Sequence, residues 1–265
     1  MTIYDWIRYR EIRGHVTFPL EELKSAFSEK STATIKTELS RLVKKGYISS
    51  VYRGFYVVVP VQYQLKGVVP PVYYIDWLMR YVGKPYYLSL LSAAAMHGAS
   101  HQAVMITQVT TVAPRIKYSS KNPGLNWNYR KQIPEDLLMT KNTEAGVVRF
   151  SNPELTAVDL VQFVDHVGGY QRASTVLAEL VEAMDMGKMA DVVPYTTVAT
   201  IQRLGYLLEF VLEEQEMADA LFLILKEQGK WNSILLRNDR PKKETVPSNR
   251  WHVNGNVEIE IDDLC

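Results

Sequence analysis

Between Ser31 and Arg53 the chain sets a group of hydroxyl and cationic side chains apart from an apolar stripe. Ile35, Leu39, Leu42 and Val43 recur at i, i+4, i+7 and i+8, and Thr32, Thr34, Lys36, Thr37, Ser40, Arg41 and Lys44 all fall off that line. Lys45 follows directly, and Arg53 lies at the tip of what reads as a hairpin. Short hydroxyls let a helix approach a surface closely, while ammonium and guanidinium groups reach phosphate oxygens or guanine edges. The chemistry on offer is recognition of a polyanion, with phosphate contacts for affinity and hydroxyls for selectivity.

The rest of the chain offers less. His97 and His101 stand at i, i+4, a spacing that can hold a metal on a helix, but Gly98 intervenes and no third ligand is evident. A helix-end pair is therefore expected. His166, beside Gly168-Gly169, reads as a cap or turn. Near the C-terminus Glu258, Glu260 and Asp262 fall on one side of a strand pattern. Such a row could serve a hard cation, but the simpler reading is a solvated edge whose charge discourages strand pairing. Gly83-Lys84-Pro85 lacks the upstream glycine and the Ser/Thr of a phosphate-binding loop, and no Gly-x-Ser-x-Gly elbow is present. Cys265 is the single cysteine, so no intrachain disulfide and no thiolate metal cluster is expected. No catalytic residue, cofactor or metal is expected.

The elements that must position the first set can be read in order. Residues 2–13 read as a helix, with Ile3, Trp6, Ile7 and Ile12 as its apolar positions and Gly14 as its end. His15 to Phe18 is short and β-branched. Pro19 then opens a second helix with Leu20, Leu23 and Phe27 on one face. Ser31 is a plausible N-cap of a third helix, which closes with Lys44, Lys45 and Gly46. Tyr47 to Tyr52 and Phe55 to Val59 form a hairpin about Arg53-Gly54, and Pro60 closes the unit. Helix, short strand, helix, turn, helix, hairpin is the order of a winged helix-turn-helix, whose third helix enters the major groove. That assigns residues 1–60 to DNA binding.

Residues 61–265 read as an α+β body, with a further division near residue 150 compatible with the pattern. Helices are expected at about 73–82, 86–98, 170–184 and within 194–228. Strands are expected at 104–112, 124–131, 146–150, 233–236, 250–253 and 257–261, and Ser151 with Glu154 is placed as a capping box. The whole is α+β.

Charge supports two roles. Residues 1–60 hold ten bases and six acids, net +4, whereas residues 154–228 hold thirteen acids and four bases, net −9, in a chain of overall formal charge +1. Hydrophobic residues make up 47% and charged residues 22%, the balance of an ordinary globular protein. Asp5, Arg8, Arg10 and Glu11 interrupt any signal-peptide core, and apolar runs such as Leu221 to Leu225 fall far short of the roughly twenty residues of a membrane span. A cytoplasmic location is expected.

Specific strings then point further. Arg53-Gly54-Phe55-Tyr56-Val57 resembles the segment that closes the winged helix of AbiEi-type antitoxins of bacterial type IV toxin–antitoxin systems. The resemblance continues through Tyr87-Leu88-Ser89-Leu90-Leu91-Ser92-Ala93-Ala94-Ala95-Met96-His97-Gly98, Asp159-Leu160-Val161, Arg203-Leu204-Gly205-Tyr206-Leu207-Leu208-Glu209 and Asn249-Arg250-Trp251-His252-Val253-Asn254-Gly255-Asn256-Val257-Glu258. It implies an autorepressor that binds inverted repeats in its own promoter and counters a nucleotidyltransferase-like toxin without a lasting complex. Two copies would share a palindromic site. Only the positive face transfers to this chain, at Lys36, Arg41, Lys44, Lys45 and Arg53. The acidic stretch Glu209 to Glu216 reads as a solvated helix face, with a partner surface as the other reading. The alternatives are a stand-alone winged-helix regulator with a ligand-sensing body, and a metal-dependent nuclease using the terminal carboxylates.

Overall fold

The computed structural model describes residues 1–64, 68–99, 106–113, 124–143, 146–244 and 248–260. The chain opens with α1 (Ile3–Ile12), β1 (Thr17–Pro19), α2 (Leu20–Ala26), α3 (Thr32–Lys44), β2 (Ile48–Tyr52) and β3 (Phe55–Val58). Next come α4 (Val61–Gln64), α5 (Ile75–Val82), β4 (Tyr86–Leu88), α6 (Leu90–Met96), β5 (Thr107–Val112), β6 (Leu125–Arg130), β7 (Leu138–Thr143) and β8 (Gly146–Ser151). The remainder is helical until its last turns: α7 (Pro153–Gln162), α8 (Val164–Val167), α9 (Tyr170–Leu180), α10 (Met189–Val192), α11 (Val198–Phe210) and α12 (Gln215–Glu227), then β9 (Ile234–Leu235) and β10 (Val253–Asn254). The class is α+β, as the pattern indicates. No helix among the described residues is long and apolar enough to cross a membrane.

Two compact units result. The first comprises Met1–Tyr87, Met105–Ile133 and Thr140–Arg149; the second comprises Leu88–Val104, Pro134–Met139 and Phe150–Cys265. The strand order of the largest sheet is β6-β5-β4-β8-β7.

Within the first unit the opening segment builds its own core. Thr2 caps α1, its hydroxyl accepting from the Asp5 N–H at 3.1 Å, while the Asp5 carboxylate accepts the Thr2 N–H at 3.0 Å. Ile3, Trp6 and Ile7 face inward and meet Phe18, Leu23, Phe27, Ile35, Leu39 and Ile48. Trp6 sets its ring edge-on to Phe18 at 5.7 Å, a favoured aromatic geometry. Ile12 departs from expectation and is 82% exposed. It stands five residues beyond Ile7, which turns it away from the inner face. The strands form an antiparallel sheet in the order β1-β3-β2, with Phe18 opposite Tyr56 and Ser50 opposite Tyr56 on the other side. Further along this unit, β5 and β6 run parallel from Thr107↔Leu125 to Val112↔Arg130.

The second unit is organised on α7, whose residues Glu154 to Val161 are all buried and which packs against α6, α9, α10 and α11. Several expectations are corrected here. The helix placed at 86–98 is split: Tyr86–Leu88 is strand, and the helix begins only at Leu90, after a turn in which Leu90 takes φ +53°. Two consecutive buried tyrosines suit a sheet covered on both faces better than a helix. The capping box at Ser151 and Glu154 is not formed. Asn152 is the cap, accepting from the Leu155 N–H at 2.9 Å, while the Glu154 carboxylate accepts the Asp185 N–H at 2.7 Å. The helix expected over 170–184 ends as α-helix at Leu180 and tightens to 3-10 over Val181–Ala183. Strand β7 was not anticipated, because its exposed residues carry no alternation. Residues 257–260 form no strand, Val257 to Glu260 having no ladder partner, and the remainder of that segment lies outside the described residues.

The strings near Gly205 and Trp251 meet in this unit. A Cβ on Gly205 would lie 2.1 Å from the Trp251 ring, so the glycine in α11 is the seat of that indole. Trp251 is fully buried, and its Nε1 donates to Glu209 at 2.7 Å. Arg250 pairs with Glu209 at 2.6 Å and with Asp219 at 2.5 Å, which ties α11 to α12. Gln202 donates to the Trp251 carbonyl at 2.7 Å.

Candidate nucleic-acid interface

Helix α3 is built so that its outer face is free. The Ser31 hydroxyl accepts from the Thr34 N–H at 3.1 Å and starts the helix. Ile35 and Leu39 are buried against α1 and α2, while Leu42 is partly covered and Val43 is 36% exposed. Lys36, Thr37, Ser40, Arg41 and Lys44 occupy i, i+1, i+4, i+5 and i+8, and therefore share one outward arc. Thr32 and Thr34 lie in the first turn. All eight of the α3-region residues from Thr32 to Lys45 singled out by type and spacing are exposed, and so is Arg53. The Thr37 hydroxyl donates to the Ala33 carbonyl at 2.9 Å, which leaves it an acceptor toward any ligand.

The electrostatics separate these cations from the others in the first sixty residues. Arg8 pairs with Glu11, Arg10 with Glu22, Lys24 with Glu21 at 2.9 Å and Lys30 with Glu38 at 2.9 Å. Arg13 stacks on the Tyr9 ring at 3.5 Å. Lys36, Arg41, Lys44, Lys45 and Arg53 have no side-chain hydrogen bond or ion pair among the described residues. Every acid of this segment but Asp5 and Glu29 is thus spent on a cation elsewhere, and Asp5 is held by Thr2. Five unneutralised charges remain on one helix and one turn, where their field is not cancelled locally.

The turn carrying Arg53 is braced from outside the first sixty residues, and spacing alone gives no sign of it. Tyr81 of α5 donates its hydroxyl to the Arg53 carbonyl at 3.3 Å, and its ring lies 5.2 Å from Phe55 and 6.2 Å from Tyr52. Gly54 has φ +74° and would bring a Cβ within 2.9 Å of the Tyr81 hydroxyl, so the turn needs glycine for both reasons. The Gly54 carbonyl accepts the Leu20 N–H at 2.7 Å, which fixes the turn to the start of α2.

The other residues with potential chemistry are placed separately. The His97 ring nitrogen lies 2.8 Å from the Ser151 carbonyl, and the ring packs 5.2 Å from Phe150; His101 lies outside the described residues. His166 stacks on Phe163. Glu258 meets Lys243 at 3.4 Å, and the Glu260 N–H donates to Gln171 at 3.0 Å, whereas Asp262 lies outside the described residues. No group of three His, Cys, Asp or Glu among the described residues could hold a metal ion. Of the acidic stretch, Glu209 faces Arg250 and Trp251, while Glu213 and Glu216 are exposed.

Fold and surface together define an α+β protein with a helical, acidic second unit and an exposed basic helix in its first. Residues 87–210 match the family described as the AbiEi antitoxin C-terminal domain, which supports an AbiEi-type antitoxin. That family is one of antitoxins, not of enzymes. Among solved structures the chain is similar to the RV2827C protein from Mycobacterium tuberculosis, with TM-score 0.66 and 15% identity over 90% of this chain and 85% of that one. At that identity the likeness is one of fold. No curated protein sequence matches.

Proposed function

We propose that residues 1–60 form a winged helix-turn-helix that binds duplex DNA, and that the chain represses its own operon while countering a toxin. The observation that carries the reading is the set of five unneutralised cations on α3 and the β2–β3 turn. The element order and the sheet order β1-β3-β2 support it. Helix α3, at 13 residues, is about 20 Å long, enough to lie along a major groove. In this reading Thr32, Thr34, Thr37 and Ser40 meet base edges, Lys36, Arg41, Lys44 and Lys45 meet phosphates or guanine, and Arg53 meets the backbone or the minor groove.

Two copies on an inverted repeat in the promoter follow from one reading helix per chain. The toxin it counters is, on the earlier resemblance, a nucleotidyltransferase, met in the cytoplasm without a lasting complex. A gel-shift titration on the DNA upstream of the gene tests the repressor half. Sequence-preferring retardation is expected, with a log–log salt slope of about −4 to −5 if five phosphates are engaged. Equal retardation of all sequences would refute it. Rescue of cells expressing the adjacent toxin gene tests the other half, and failure to rescue would refute that.

A further inference from the structure

The second unit carries a loop whose path is fixed with unusual thoroughness. Residues 237–243 read Arg237-Asn238-Asp239-Arg240-Pro241-Lys242-Lys243, four cations and one acid in seven positions. Like charges this close repel and would splay an unsupported loop. Two asparagines hold it. Asn256, only 9% exposed, accepts the Arg237 N–H at 2.9 Å and turns its amide on the carbonyls of Arg237 at 2.8 Å, Arg240 at 3.0 Å and Pro241 at 3.2 Å. Asn254 accepts the Lys243 N–H at 3.1 Å and donates to its carbonyl at 3.0 Å. Gly255 between them lies flat on Tyr206, where a Cβ would fall 2.1 Å from the phenol oxygen.

Every one of these bonds is to the backbone, so the clamp orders the chain and leaves the charged heads out. Arg237 is the anchor, paired with Asp165 at 2.7 Å and Asp239 at 2.6 Å. Arg240 and Lys242 are exposed and make no side-chain hydrogen bond or ion pair among the described residues, Asp239 acting on Arg240 only through its field, and Lys243 has only the solvated contact with Glu258. Beside the loop lies a cavity of about 320 Å³ lined by Arg237, Arg240, Asp165, Glu258, Gly169 and Tyr170 among others.

We propose that Arg240, Lys242 and Lys243 form a second phosphate-contacting surface, for the backbone of duplex DNA. A nucleic-acid strand carries one negative charge per nucleotide, and Lys or Arg contacts to its phosphates gain affinity by releasing counterions. Three exposed cations within four residues can each meet a phosphate of such a polymer, whose charge is continuous where the carboxylates of an acidic protein are scattered. The acidic character of residues 154–228 confines a polyanion to this loop, and ordering the loop in advance removes an entropy cost from binding. The inference rests on the reading above only in naming DNA as the polymer.

The test is fluorescence anisotropy of the full chain on a duplex of arbitrary sequence across a salt series. Replacing Arg240→Glu, Lys242→Glu and Lys243→Glu together should flatten the log–log slope by about two to three units, at about 0.9 per phosphate, and weaken binding at least about tenfold at low salt. The same loss is expected when Lys36→Gln and Arg41→Gln are already present, since those changes remove contacts of α3 and none of the loop's. Unchanged slope and affinity in the triple variant would overturn the proposal. So would a loss confined to one preferred sequence, or retained DNA affinity together with lost affinity for an acidic protein.

Discussion

Replacing Gly205 by alanine sets two effects of known sign against each other. In an ordinary helix interior the change is favourable by about 1 kcal/mol, because alanine loses less backbone entropy and shields the helix better. Here the new methyl would sit 2.1, 2.2 and 2.4 Å from three ring carbons of Trp251, against a normal carbon–carbon contact of about 3.5–4.0 Å. The ring cannot step aside easily, since it is fully buried and its Nε1 is held by Glu209 at 2.7 Å. A tryptophan buries about 150–250 Å², so expelling it forfeits about 4–6 kcal/mol at ~25 cal/mol per Å². Local accommodation of the overlap would still cost about 1–3 kcal/mol. After the gain in propensity the net expectation is a loss of up to about 2 kcal/mol where the overlap is accommodated locally, and of about 3–5 kcal/mol where the ring is expelled. Urea unfolding followed by far-ultraviolet circular dichroism reads it as a lowered midpoint at unchanged slope. With Trp251→Ala already in place, Gly205→Ala should become neutral or stabilising by up to about 1 kcal/mol. A stabilised single variant, or additive effects of the two changes, would refute the packing argument.

Other outcomes follow from single contacts. Glu213, in the link between α11 and α12, takes φ +59° and is exposed; Glu213→Gly should raise the melting temperature by about 2–4 °C, the equivalent of about 1 kcal/mol in a domain this size, and a fall would contradict the strain. Tyr81→Ala removes the brace on the Arg53 turn without removing a cation. DNA affinity should drop several-fold while the salt slope stays constant, and a changed slope would mean that Tyr81 does something else. The hydrogen bond from Arg250 holds the Asp219 carboxyl below its ordinary value of 3.8. That contribution is present above the unfolded pKa and is lost as pH falls through the lower folded one. Between pH 5 and the acid side of 3.8, the unfolding midpoint of wild type should therefore fall more steeply than that of Asp219→Asn, and parallel curves would show the bond to be immaterial.

How much of this was legible in the sequence depends on the range of the forces involved. Helix α3 could be read within a residue because its determinants are local: Ser31 at the cap, Ile35 and Leu39 on the stripe, Lys44-Lys45-Gly46 at the end. The β2–β3 hairpin was legible for the same reason, through Arg53-Gly54. The five candidate cations could be named, but their freedom could not, since it depends on Glu22 and Glu38 reaching Arg10 and Lys30 through the fold. Residues 86–98 failed because Leu- and Ala-rich strings suit a helix, and only burial on both sides made Tyr86–Leu88 a strand. Gly205 and Trp251 lie 46 positions apart in the chain, so no periodicity could join them. The clamp of Asn254 and Asn256 was visible as a string and silent as a mechanism, because its partners are backbone groups of another segment.

DNA binding by α3 and the β2–β3 turn is proposed to rest on their unneutralised cations. Its most direct test is the salt dependence of full-length protein binding to the DNA upstream of its gene, compared between wild type and the Lys36→Gln, Arg41→Gln, Arg53→Gln variant. A slope shallower by about 2–3 units and an affinity lower by at least about a hundredfold at low salt are expected, with the fold intact by circular dichroism. Equal slopes and equal affinities in a folded variant would contradict it.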